Sequence, residues 1–297
     1  MPNSASLPTP TVGEALACQH RLNTISTSPK LDCQLLLMSA MDQTRSWLMT
    51  HDDQQLTLAE TDLFQSLLVR REAGEPIAYL LGTQGFWDMD LLVSPATLIP
   101  RPETELLVDI LLDALPASQP IELVDLGTGT GAIALALARE RPAWRIYATD
   151  RHAATLAITQ DNARRWSSGN VQLVQAHWLS AFAPTSFDVI VANPPYIHPE
   201  DPHLTDLSFE PQTALVANDD GLGDLLQIIS EAQRCLKPNG QLLLEHGFDQ
   251  QQTLVVALQQ QGFVEIQTFA DLNQQPRAIL AKLKSFERTN ATTAEEA

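Results

Sequence analysis

The sequence predicts an α/β protein, in which a mostly parallel, seven-stranded sheet with helices on both faces follows a small all-helical N-terminal domain and a β-hairpin linker. Three observations predict it. From about residue 121, short extended runs alternate with longer helical stretches, the pattern of a sheet whose strands are joined by crossovers. The run at 121–125 leads directly into Gly127-Thr128-Gly129-Thr130-Gly131 and a helix, the strand–turn–helix arrangement that cradles a nucleotide-like cofactor. Before residue 80, apolar positions recur at helical spacing behind helix-starting residues. The 297 residues, 44% of them hydrophobic, suffice for a substantial core in two domains.

Taken in order, the Ser/Pro-rich lead at 1–10 is expected to be mobile. Thr11 caps a helix to about Leu22, and Ser28 with Pro29 opens another through Ala40, since proline suits the first helical position. Thr57 and Glu60 have capping-box spacing ahead of Leu63, Phe64, Leu67 and Leu68, which form one apolar stripe. Helices reach about Ala73 in a helical domain placed at 1–80. A linker at 81–100 contains Gly85 to Ser94, two extended runs around an Asp-containing turn. In Leu98-Ile99-Pro100-Arg101-Pro102-Glu103-Thr104-Glu105, two prolines hold Arg101 extended before a helix to about Leu115. Two readings of that stretch stand side by side: a helix start whose Glu103 and Glu105 suit the helix dipole, or Arg101 and Glu103 at the rim of a pocket.

The domain at 101–284 carries strands near 121–125, 145–149, 171–175, 187–192, 241–245, 264–269 and 277–283. Helices intervene near 132–140, 152–166, 222–236 and 250–260, and the short connections late in the chain leave room for an antiparallel last strand. The tail at 285–297 has almost nothing to bury and is expected to be disordered.

Gly127, Gly129 and Gly131 let the backbone turn sharply and approach a ligand. Gly-x-Gly-x-x-Ala, with Asp150 ending the next strand, fits a dinucleotide site as well as one for S-adenosylmethionine (SAM), so both cofactors are live on this stretch alone. Asn193-Pro194-Pro195-Tyr196, at the end of the strand 187–192, separates them. Asn193 offers a side-chain oxygen and Pro194 a carbonyl of fixed direction, and Tyr196 can lie against a π face. Two acceptors and an aromatic lid suit the gripping of a planar amide or amine nitrogen for methylation, whereas hydride transfer has no use for them. A Pro-rich turn that merely ends a buried strand is the competing reading.

Composition narrows the partners. Residues 1–98 carry 5 Lys or Arg against 11 Asp or Glu, and the remainder 13 against 25, so neither half has the basic surplus a nucleic acid demands. Cys18, Cys33 and Cys235 are odd in number and widely spaced, as expected of buried thiols in a reducing cytosol. The apolar run Ala132 to Ala138 is far too short to span a bilayer, so no membrane association is expected. His198-Pro199-Glu200-Asp201-Pro202-His203 holds four possible metal ligands, but no second cluster completes a site; a solvated loop is expected, and no metal. Asp219-Asp220-Gly221 reads as an N-cap region, and His246 as packing near the sheet edge.

The chain resembles the PrmC/HemK protein-glutamine methyltransferases over about residues 12–283. The likeness rests on Gly74 to Tyr79, Gly85-Phe86-Trp87, Val93 to Glu105, the glycine loop, Asn193 to Ile197, Phe209-Glu210-Pro211 and Ala214-Leu215. It implies a Rossmann-like, SAM-dependent methyltransferase domain. By resemblance, Gly127, Thr128, Gly129, Thr130, Gly131, Asp150, Trp178 and Asn193 hold SAM, with Asp150 on the ribose and Trp178 against the adenine. Asn193 and the Pro194 carbonyl grip a glutamine amide, Tyr196 covers it, and Pro195, Arg101 and Glu103 complete the substrate site. The implied substrate is the glutamine of the Gly-Gly-Gln loop in class I peptide-chain release factors, docked by the helical domain, so the protein is expected to be a cytoplasmic monomer acting on translation termination.

Two departures stand out. His177 precedes Trp178 where the family often has Asp, and Asp271 to Arg277 replaces a more Gly-bearing loop. An adenine-specific DNA or RNA amino-methyltransferase is the alternative, since adenine's exocyclic amine poses the same gripping problem; a non-catalytic adaptor is a third reading, against which the intact Asn193 and Tyr196 argue. Direct in-line transfer without a covalent intermediate is expected, with Glu103 and Asp125 structural or cofactor-orienting.

Overall fold

The computed structural model describes residues 8–167 and 169–284; the tail expectation at 285–297 and most of the lead at 1–10 fall outside them. The chain divides between Thr83 and Gln84 into two compact units.

The first unit is helical: α1 (Val12–Ala17) running on into a 3-10 turn (Cys18–Leu22), α2 (Pro29–Met41), α3 (Arg45–Leu48), α4 (Leu58–Glu72) and α5 (Ile77–Leu81). Thr11 with Glu14, and Thr57 with Glu60, close full capping boxes, so each satisfies two otherwise orphaned donors. Ser28 makes no such cap bond; Pro29 alone marks that helix start. α3 and α5 are too short for a periodic pattern to reveal. Leu22, Leu36, Leu37, Phe64 and Leu68 are fully buried at the centre of this unit.

The second unit begins with the hairpin β1 (Thr83–Phe86) and β2 (Met89–Leu92). The stretch read as a linker is packed into this unit, for Phe86, Met89 and Leu91 are buried in its core. The sheet contains β3 (Glu122–Leu126), β4 (Arg145–Asp150), β5 (Val171–Gln175), β6 (Phe187–Ala192), β7 (Leu236–Glu245), β8 (Phe263–Ala270) and β9 (Pro276–Leu283). Their order is β5-β4-β3-β6-β7-β9-β8. β9 runs antiparallel to both neighbours, while the β4–β5, β3–β4, β3–β6 and β6–β7 pairs are parallel. β7 begins immediately at the end of a helix, earlier than the apolar pattern suggests, because Asn239-Gly240 sits inside it beside a register shift against β6.

Successive strand residues face opposite sides, so both faces must be covered. Leu123, Ile146, Val189 and Leu243 pack on one side with α6 (Glu105–Ala114) and α7 (Ala132–Glu140). Val124, Leu126, Ile190 and Leu244 pack on the other with α9 (Gly223–Cys235) and α10 (Gln251–Gln260). α8 (Ala153–Trp166) follows β4. The chain leaves β3 toward β4 and β5, then returns to place β6 on the other side. That reversal opens a crevice beyond the carboxyl ends of β3 and β6, where doubly wound sheets bind ligands. Among the described residues, no helix is long and apolar enough to cross a membrane.

Candidate active site

The glycine loop leaves β3 at this crevice. Gly127 has φ +67°, and a Cβ there would lie 3.2 Å from the Trp178 ring, so the wall closes directly on bare backbone. Gly131 has φ +87° and would bring a Cβ to 2.9 Å from Thr159 and 3.0 Å from Leu135. The Thr159 hydroxyl donates to the Gly129 carbonyl at 2.7 Å, and Asn162 Nδ2 to the Thr130 carbonyl at 2.9 Å. Helix α8 thus holds the loop from below, while Asn162 Oδ1 accepts from Leu92 N at 2.7 Å and ties the hairpin to the same point.

A cleft with about 690 Å³ of atom-free space, partly open to solvent, is lined by Gly127, Gly129, Asp150, Trp178, Asn193 and Pro195 among others. Thr128, Thr130, Gly131, Pro194, Tyr196, Arg101 and Glu103 do not line it. Arg101 forms an ion pair with the buried Glu210, whose other oxygen accepts from Ile99 N at 3.0 Å. The Tyr196 hydroxyl donates to Glu245 Oε1 at 3.1 Å, and its main chain is held by Gln250 Nε2 at 3.0 Å.

The groups around the cleft fit SAM. Asp150 ends β4, where burial raises its carboxyl against the backbone N–H groups of His152 and Gly129. Asp125 lies behind the loop, fully buried; burial pushes it up to about 7 although Thr128 Oγ1 donates to it at 2.6 Å. Its Oδ1 has no hydrogen-bond partner, an orphaned acceptor at the base of the loop. Trp178 adopts φ +45°, a strained conformation for a bulky residue, which such sites can retain where function fixes the ring.

His177 also lines the cleft, its ring 5.5 Å from that of Trp178. The carboxylate beside the indole comes from elsewhere: Trp178 Nε1 donates to Asp224 Oδ1 at 3.2 Å, and Asp224 lines the cleft. Sequence reasoning missed Asp224, because nothing in the first turn of a helix says which acid faces a pocket. Asp219 and Asp220 do not cap α9; the cap position is Leu222, without a side-chain bond.

Asn193 is set by a neighbour that sequence reasoning also missed. Its Nδ2 donates to Thr104 Oγ1 at 3.1 Å, which leaves Oδ1 as the free acceptor. Glu245, at the end of β7, is fully buried and pushed up to about 7, against the pull of the Thr104 and Tyr196 hydroxyls and of Arg277. The turn after β8 acquires a role here. Asp271 Oδ1 accepts from Asn273 N and Gln275 N, and Oδ2 from Arg277, fixing that guanidinium beside Tyr196 and Glu245. His246 is fully buried at the end of an interior strand rather than at the sheet edge. His198 pairs with Asp220 and His203 with Asp201, and among the described residues no three His, Cys, Asp or Glu side chains converge as metal ligands.

Residues 17–82 match a PrmC N-terminal domain and residues 104–208 a methyltransferase small domain. A release factor glutamine methyltransferase of Escherichia coli (strain K12) is 44% identical over 86% of this chain and 93% of its own length. One of Pseudomonas aeruginosa is 47% identical over 86% of this chain and 94% of its own. In fold alone, a methyltransferase from Pyrococcus furiosus is similar, with a TM-score of 0.50 at 16% identity, covering 74% of this chain and 98% of that one. The chain, a SAM-dependent methyltransferase, therefore belongs to the release factor glutamine methyltransferase family.

Proposed function

We propose that this enzyme methylates the side-chain amide nitrogen of the glutamine in the Gly-Gly-Gln motif of class I peptide-chain release factors, and so modulates translation termination in the cytoplasm. The observation that carries the reading is the orientation of Asn193: with Nδ2 engaged by Thr104, its oxygen is free to accept an N–H beside the cleft. The relatives named above support the choice of substrate. The helical unit serves to dock the protein substrate, and the enzyme acts as a monomer.

Asn193 Oδ1 and the Pro194 carbonyl take the two amide N–H bonds and so orient the nitrogen. Pro195 lines the approach, and Tyr196, fixed through its hydroxyl, covers the amide. Arg101, paired with Glu210, and Glu103 border the substrate side. Gly127 to Gly131, Asp150 and Trp178 hold the cofactor. Bound SAM would supply an electrophilic, sulfonium-borne methyl group to that nitrogen and leave as a neutral thioether, with the displaced amide proton passing to solvent. The chain's contribution is orientation and exclusion of water, effects that reach about 7–11 kcal/mol in well-aligned reactions.

Methyl-labelled SAM offered with a release factor, its Gln-substituted form or adenine-containing DNA separates the readings. Label on the release factor that disappears with the glutamine is expected; label in DNA would overturn the proposal. Asn193→Ala should retain SAM binding by calorimetry and lose methyl transfer by about a hundredfold or more.

A further inference from the structure

Trp178 stands in a conformation that a bulky residue does not keep unaided. Its φ of +45° lies in the left-handed region, and such a residue persists there only where its surroundings over-determine it. One helix supplies most of those surroundings. Along α9, Asp224, Gln227, Glu231 and Arg234 recur at i, i+3, i+7 and i+10, so they share a flank beside the buried face of Ile228, Ile229 and Ala232.

That flank grips the chain just after Trp178. Glu231 Oε2 accepts from Leu179 N at 3.0 Å, and its Oε1 accepts from Gln227 Nε2 at 2.7 Å. Arg234 donates to the Leu179 carbonyl at 3.1 Å and to the Phe182 carbonyl at 2.7 Å. With the main chain fixed, the indole keeps a rotation of its own. Asp224 Oδ1 accepts from Nε1 at 3.2 Å on one edge of the ring. On the other edge stands Gly127, where a Cβ would lie 3.2 Å from Cζ3 and 3.6 Å from Cη2. Trp178 is buried, so removing the acceptor would strand its N–H.

We propose that Asp224 is a positioning residue of the cofactor site: by accepting the Trp178 indole N–H it fixes the plane of the ring that walls the cleft, so that the wall stands ready for a purine. Glu231 and Arg234 hold the same turn from behind and make α9 the support of that wall. Trp178, Asp224 and Asn193 all line the cleft, so a turn of the ring is felt where the ligand sits. The inference rests on the reading that Trp178 lies against the adenine of SAM.

Calorimetry with SAM, and with S-adenosylhomocysteine, whose sulfur is uncharged, tests it. Asp224→Leu keeps the shape and loses the acceptor; Asp224→Asn keeps the acceptor and loses the charge. Asp224→Leu should weaken both ligands about tenfold, and Asp224→Asn should stay within about threefold of the parent. In a Trp178→Phe background, which lacks the N–H, Asp224→Leu should cost less than about twofold more, because the two residues act as a unit. If the leucine disturbs folding, Asp224→Ala carries the same expectations. Parent-like affinity in Asp224→Leu, an asparagine no better than leucine, or additive losses in the double variant each overturn the inference. A loss for SAM alone also overturns it, making Asp224 a counter-charge to the sulfonium. Trp178→Ala keeps the two failures apart. If it binds both ligands normally, the reading of Trp178 falls and the inference with it; if it binds weakly while Asp224→Leu binds normally, only the inference falls.

Discussion

The two units bury different chemistry. Among the described residues of the helical unit, the buried polar side chains are Asp32 and Gln34, set in a core of Leu, Phe, Val, Ala, Met and Cys. The second unit buries Thr104, Asp125, Thr159, Asn162, Glu210 and Glu245 among others, and these cluster where backbone leaves the carboxyl ends of strands. A helix satisfies its own main chain, so a helical unit needs polar side chains chiefly at its caps. Loops that must stand still around a ligand have no such ladder, and side chains from distant elements have to supply the missing bonds. Buried polarity here marks the part of the molecule that has to be irregular and rigid together.

The largest effects come from breaking each unit in its own way. Phe64→Ala should cost the helical unit about 3–5 kcal/mol by leaving a cavity, with SAM binding retained by the second unit. Asn162→Leu should cost a comparable amount, because it strands Leu92 N, Leu92 O and the Thr130 carbonyl. It should also weaken SAM binding at least tenfold, since the glycine loop loses its support. Chemical unfolding and calorimetry on both variants measure the contrast. Equal SAM affinity in the two would break it.

Acid titration sharpens the same contrast with a smaller effect. Asp125 and Glu245 each have a folded-state carboxyl raised to about 7, from ordinary values of 3.8 and 4.5. The folded protein therefore keeps protons that the unfolded chain releases. Stability contributed by these groups is fully present below about pH 4 and is lost as pH rises through 7, by about 4 kcal/mol for Asp125 and about 3 kcal/mol for Glu245. In the helical unit Glu72 is shifted the other way, lowered chiefly by its hydrogen bond to Arg21, so its contribution has the opposite sign and is exposed and weak. Urea midpoints between pH 5 and 8 should fall for the parent and flatten in Asp125→Asn. An unchanged slope in that variant would show that Asp125 is ionised at neutral pH.

Much of this was legible beforehand, for reasons that differ by region. The Thr11 cap, the Thr57 capping box and the strands β3 to β6 are written in local spacing, and the strand at 171–175 and helix at 132–140 fall where the pattern puts them. The Asn193 to Tyr196 turn and the glycine loop are contiguous, so their neighbourhood follows from strand order alone. What stayed hidden is what the fold assembles across distance. Thr104 meets Asn193 across 89 positions, Glu245 meets Tyr196 across 49 and Asp224 meets Trp178 across 46. In Ile99 to Glu105, charge drew attention to Arg101 and Glu103, yet Arg101 is engaged with Glu210 while the neutral Thr104 touches the motif.

The smallest effect belongs to surface charge in either unit. Arg145 and Glu122 pair at 3.0 Å on adjacent strands, with the arginine more than half exposed. Such pairs contribute about 0–1 kcal/mol, because water solvates both groups nearly as well apart and salt screens what remains. Arg145→Ala should shift the unfolding midpoint within that range, less at higher salt, and leave SAM binding and turnover unchanged. A loss comparable to that of Asn162→Leu would mean that this end of the sheet, like the opposite end, depends on polar side chains to hold its main chain, and the contrast between core chemistry and site chemistry would then lose its spatial meaning.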